Sequence, residues 1–134
     1  MNDPTGSPAE QAPALRVVRA DTANHYTWGP GAEGWRLLDG HDLSVIEELV
    51  PPGGAETLHE HRYARQFFYV ISGQAEMTAG SRTWTLGVGD GFEVPPGVSH
   101  EFANVGATDV RFLVISSPPS RGDRTEVSDP LAGT

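Results

Sequence analysis

Sixteen glycines and eleven prolines fall among short apolar runs throughout this 134-residue chain. Punctuation of that kind is what many short strands joined by tight turns require. The runs are rich in aromatic and β-branched residues, as in Gln66-Phe67-Phe68-Tyr69-Val70-Ile71 leading into Ser72-Gly73, and such residues suit a pleated, half-buried surface. No stretch holds a helical period, and no internal repeat is visible. Strands are expected over 15–19, 35–38, 44–50, 56–62, 66–71, 75–79, 82–86, 91–94, 99–104 and 111–116. The expected fold is all-β. The length suffices for one core and not for two, so a single barrel over residues 15–116 is expected. Polar segments 1–14 and 117–134 flank it as flexible tails.

Composition narrows the function. The net charge is −9 and no basic stripe is visible, which argues against nucleic acid and anionic membrane as partners. All nine basic residues are arginine, a compositional hint of a high-GC bacterial genome. With no cysteine there is no disulfide framework to indicate a redox compartment. The first fourteen residues resemble no secretion signal and no run approaches the ~18–20 apolar residues of a membrane span, so a cytoplasmic location is the expectation.

Two segments carry the chemistry. The first runs from Gly53 through His59, His61 and Gln66 to Gly73, and the second from Gly89 through Pro95, Gly97 and His100 to Asn104. In an extended strand residues i and i+2 share a face, so His59 and His61 point one way and Glu60 the other. Val94-Pro95-Pro96-Gly97 cannot lie inside a central strand, because proline lacks the donor that the ladder needs. It must turn, and the alternation after it brings His100, Phe102 and Asn104 in from a neighbouring strand. Neutral imidazole is the commonest protein ligand for a borderline divalent ion. Three imidazoles and the Gln66 amide therefore read as one metal site built from two hairpins.

Both segments resemble the two signature motifs of the cupin superfamily in its small single-domain form, over roughly residues 53–104. The resemblance implies a double-stranded β-helix, the cupin jelly-roll barrel, with one divalent ion (Zn, Fe, Mn or Ni) near its centre. It also implies that the family ligands carry over to His59, His61 and His100. The fourth family ligand is a glutamate, and here that position is Gln66.

A neutral amide in that place leaves a divalent ion its full charge, which favours polarising a carbonyl or lowering the pKa of bound water over oxidising the metal. The preferred expectation is a metal-dependent enzyme that cyclises, isomerises, rearranges or eliminates a small oxygen-rich substrate, in the manner of secondary metabolism. A non-haem dioxygenase and a non-catalytic small-molecule sensor are the alternatives. Glu47 and Glu48 alternate on one strand, so one of them faces the interior as a candidate general base. If Gln66, Phe68, Val70, His100 and Phe102 share the inward face, then Phe68, Val70 and Phe102 form an apolar substrate wall. Trp28 and Trp35 either roof the mouth or cover an edge. His25 and His41 are expected to be solvated, Tyr63 and Arg65 structural, and Arg121-Gly122-Asp123 an accident of a charged tail. Exposed sheet edges and the apolar runs 15–18 and 111–115 point to a homodimer.

Overall fold

The computed structural model describes residues 15–127, so the expected N-terminal tail, 1–14, and residues 128–134 of the expected C-terminal tail lie outside it. Among the described residues there are eleven strands: β1 (Asn24–Trp28), β2 (Ala32–Asp39), β3 (Ser44–Val50), β4 (His59–His61), β5 (Arg65–Ser72), β6 (Ala75–Ala79), β7 (Arg82–Leu86), β8 (Gly91–Val94), β9 (His100–Ala103), β10 (Val110–Ser117) and β11 (Arg124–Glu126). They form two antiparallel sheets, ordered β1-β2-β3-β10-β5-β8 and β11-β4-β9-β6-β7. This is a double-sheet jelly roll, as expected. No helix of the described residues is long and apolar enough to cross a membrane.

Alternation decides which side chains meet between the sheets. In β5 residues Gln66, Phe68 and Val70 are buried while their neighbours are exposed, and in β10 Val110, Phe112, Val114 and Ser116 are buried. The two strands pair in register, Gln66 against Ser116 and Phe68 against Val114. Facing them from the second sheet are Ala75 and Met77 of β6, Leu86 of β7 and Phe102 of β9. Phe102 stacks on Phe112 at 3.9 Å and on Phe68 at 5.7 Å between ring centroids. This aromatic plug fills one end of the interior and leaves the polar residues of the same strands at the other.

Three expectations on boundaries are corrected. Residues 15–19 are not a strand. The edge of the first sheet is taken instead by β1, whose polar Asn24-His25-Tyr26-Thr27 sequence gives no alternation to read. The stretch 56–62 is strand only at His59–His61, because Thr57 and Leu58 break the extended run. The barrel also continues past 116, since β11 pairs with β4. Leu15 and Val17 stand exposed, as do Phe67, Tyr69 and Ile71 on the outer face of β5.

Candidate metal centre

His59 and His100 lie directly opposite each other where β4 pairs with β9. His61 shares their face, two residues along β4, and all three are buried. One nitrogen from each ring lies within 4.8 Å of the others. The turn at Gly97 fixes this meeting. Its N–H donates to the His61 carbonyl at 2.7 Å, and Gly97 has φ +81°, a conformation open to glycine.

The backbone also fixes the tautomers. Nδ1 of His59 lies 2.6 Å from the Thr57 carbonyl, Nδ1 of His100 2.9 Å from that of Val98, and Nδ1 of His61 3.3 Å from that of Asp123. A carbonyl only accepts, so each Nδ1 carries the proton and each Nε2 presents a lone pair to the interior. Burial lowers all three imidazole pKa values, that of His59 to about 3 against the opposing pull of the Thr57 carbonyl. The rings are therefore neutral at pH 7 and available as ligands.

Gln66 completes the set. Its Oε1 lies 3.0 Å from Nε2 of His100, and its amide nitrogen donates to the Ser116 hydroxyl at 3.1 Å. With the His100 proton on Nδ1, Oε1 and Nε2 are two acceptors face to face. Both atoms would be available as donors to a divalent ion; without one, the amide can turn over, donating to His100 and accepting from Ser116. The serine serves both orientations because a hydroxyl donates and accepts. The donor set thus fits a divalent ion, held by His59, His61 and His100 with Gln66 beside them. Gln66→Glu should raise affinity for a divalent ion roughly tenfold or more by adding a charge at the same position, read by competition with a chromogenic chelator. Unchanged affinity would mean that the amide stands off the metal.

A cavity of about 490 Å³ opens onto His59, His61 and Gln66. Glu48 lines it, whereas Glu47 points outward and pairs with Arg111, whose guanidinium lies 4.8 Å from the centre of the Trp35 ring. Tyr26 reaches Glu48 across the sheet, its hydroxyl donating to Oε2 at 2.6 Å. The register lines up Tyr26 with Gly34 and Gly34 with Glu48. A Cβ on Gly34 would meet the Tyr26 ring at 2.2 Å, so glycine there is what lets the phenol cross β2. Trp28 lines the cavity and Trp35 covers the outer face.

Phe68, Val70 and Phe102 do not line the cavity. They are 1%, 0% and 0% exposed and belong to the aromatic plug beneath the histidines. They share the inward face as expected, but at a different depth. The wall is mixed instead, with Trp28, Ile46 and Val114 beside charged and hydroxyl side chains, and is supplied mainly from β1–β3, from residues 55–57 and from 119–124.

Sequence reasoning missed Glu56 and the role of Asp123. Glu56 faces the cavity because the break at Thr57–Leu58 undoes the parity that would have turned it away from the histidines. Its Oε1 accepts from the Phe102 N–H at 3.3 Å. Asp123 holds the β4–β5 turn, its carboxylate accepting from the N–H groups of Arg62, Tyr63 and Ala64 at 2.8, 2.9 and 2.9 Å. Desolvation is the largest single influence and raises its pKa, but the three donors together with His61 outweigh it and hold the carboxyl below its usual range. The same residue's carbonyl orients His61, so Arg121-Gly122-Asp123 is part of the site and not a stray stretch of tail. A three-residue exposed strand leaves no apolar pattern by which it could have been found.

Glu48 and Glu56 are both shifted upward, to about 7 and about 8. Burial is the main cause for each, with the charge of Glu48 a further cause at Glu56. The Tyr26 hydroxyl, Arg36 and Arg124 oppose the shift at Glu48. A folded-state carboxyl pKa above the unfolded value means that the folded state holds more protons, so its stability contribution is complete below about 4.5 and lost as pH rises through 7 to 8. The histidines act in the opposite sense and only below their ordinary 6.5. From pH 6.5 to 8.5 the metal-free protein should therefore lose on the order of 1 to 2 kcal/mol per carboxyl. Glu48→Gln should flatten the decline, as followed by urea unfolding. A profile identical to wild type would show that Glu48 ionises normally.

A two-sheet jelly roll with three converging imidazoles at its polar end defines a class of small β-barrel proteins able to hold a metal. The cupin domain family matches residues 46–116, and the chain belongs to that family. It is 30% identical over 91 residues to the uncharacterized protein MJ1618 of Methanocaldococcus jannaschii, covering 68% of this chain and 73% of that one. It is 31% identical over 70 residues to polyketide synthase CurC of Streptomyces cyaneus, 52% of this chain and 46% of the relative, so it spans about half of that protein. Among solved structures the polyketide cyclase RemF of Streptomyces resistomycificus superposes with a TM-score of 0.74 at 21% identity, covering 88% of this chain and 89% of that one. At that identity the likeness shows the fold.

Proposed function

We propose that this chain is a divalent-metal-dependent enzyme that carries out redox-neutral proton-transfer chemistry, a cyclisation or isomerisation, on a small oxygen-rich substrate. One observation carries the reading: a neutral three-imidazole, one-amide donor set shares a cavity with a buried carboxyl poised near pH 7. When bound, a divalent ion would polarise a carbonyl or hydroxyl of the substrate. Glu48 then moves the proton. Its pKa of about 7 balances ionisation against basicity at neutral pH, and the Tyr26 hydroxyl, held at 2.6 Å, fixes the carboxyl orientation and stabilises its ionised form. The Gln66 amide supplies neither charge nor a proton acceptor. The polyketide names of CurC and RemF, the latter a cyclase, support cyclisation within this class.

The test is deuterium uptake from solvent into a panel of hydroxy-ketones and 3-oxo esters by zinc-loaded protein. Wild type should catalyse exchange, and Glu48→Gln should slow it ~10²- to 10⁴-fold with metal content unchanged. Oxygen consumption without exchange would support the dioxygenase alternative instead.

A further inference from the structure

The charged groups that line the cavity balance in number, three arginines against three carboxyls, but they do not all pair. Asp39 and Arg121 pair with each other at 3.2 Å on the rim. Glu48 is bound to the Tyr26 hydroxyl and Glu56 to the Phe102 N–H, and neither lies within ion-pair distance of an arginine among the described residues. Two guanidiniums remain. Arg36 of β2 lies 4.5 Å from the centre of the Tyr26 ring and makes no hydrogen bond or ion pair among the described residues. Arg124 of β11 has only the Thr57 carbonyl at 3.5 Å and Glu126 at 3.9 Å. Both line the cavity that opens onto His59 and His61.

We infer that the substrate is an anion, a small oxo- or hydroxy-acid whose carboxylate is gripped by Arg36 and Arg124 while its neighbouring oxygens face the imidazoles. A guanidinium fork matches a carboxylate in two parallel hydrogen bonds, and arginine is weakly enough hydrated to use them in a half-buried site. Stacking on Tyr26 holds one fork in place before the ligand arrives. The nearby carboxyls do not compete. Glu48 is engaged by the Tyr26 hydroxyl and Glu56 by the Phe102 N–H, neither makes an ion pair with Arg36 or Arg124, and burial pushes both carboxyls toward the protonated form, so the guanidiniums stay available to the ligand. On a chain of net charge −9, guanidiniums without a close carboxylate partner are what an anionic ligand would need in order to be held. The wall expected from sequence was apolar, and these two arginines are what that expectation lacked.

The inference rests on the metal-dependent reading only for the placement of the second ligand end, and the test separates the two. 2-Oxoglutarate and its 5-methyl ester differ in a distal carboxylate against a neutral ester, and each is titrated calorimetrically into zinc-loaded and metal-free full-length protein. The loaded protein should bind the diacid at least roughly tenfold tighter, as a charge-assisted bidentate contact implies. That preference should vanish in Arg36→Gln and in Arg124→Gln with zinc content unchanged, and Arg36→Lys should keep part of it. Equal binding of the two probes, binding of neither, or a preference that survives both glutamine variants would overturn the inference. If the protein takes up no zinc yet the metal-free chain still prefers the diacid through these arginines, the metal reading falls and the anion site stands.

Discussion

Replacing His59 and His61 together by alanine abolishes stoichiometric binding of a divalent ion. The two residues supply two of the three Nε2 lone pairs that converge in the cavity, and His100 with an amide cannot hold the ion alone. The expected loss is on the order of 10³-fold or more in affinity. The fold should survive. Both rings are neutral at pH 7, so their removal strands no buried charge and leaves only the Thr57 and Asp123 carbonyls without a donor. Emission spectrometry on protein reloaded with zinc and passed through a desalting column reads the result, with far-ultraviolet circular dichroism as the control for folding. Stoichiometric zinc in the folded double variant would rule the site out.

Phe102→Ala has the largest expected effect on stability. The ring is fully buried and stacked between Phe68 and Phe112, where both sheets meet. Truncation removes the transfer energy of the ring and leaves a void that a sheet-on-sheet core cannot close, at a cost of about 3 to 5 kcal/mol. Phe68 contacts His100 edge-on at 5.8 Å, so a slackened plug should also loosen the metal site from below. Denaturant unfolding of the metal-free variant checks the first effect. A loss under about 1 kcal/mol would mean that Phe102 borders open space and would return it to the substrate wall.

Most of the barrel was legible because its central strands obey period two. Gln66-Phe67-Phe68-Tyr69-Val70 alternates buried and exposed without exception, and Pro95-Pro96-Gly97 marks its own turn. What alternation cannot show is depth. Gln66, Phe68 and Val70 share one face, yet the first touches the site and the others seal the opposite end, a distinction set by pairing with β10 and by packing against Phe102 of the facing sheet and not by local sequence. The choice between Glu47 and Glu48 was open for a similar reason: alternation gives two phases, and the partners Arg111 and Tyr26, far off in the chain, select one. Glu56, Arg36 and the 119–124 wall were hidden by irregular backbone, by the register shift of β2 just after Arg36 and by a short exposed strand. None of these has a periodic pattern. The histidine cluster could be read because its spacing is fixed by strand geometry inside each of two short segments.

The central claim is that His59, His61, His100 and Gln66 hold a divalent ion for redox-neutral chemistry. Elemental analysis of protein purified without an affinity tag, with oxygen uptake followed on the same preparation, tests it most directly. One zinc ion per chain and no oxygen consumption in the presence of exchanging substrate is the predicted result. Iron at one per chain with stoichiometric oxygen uptake would contradict it.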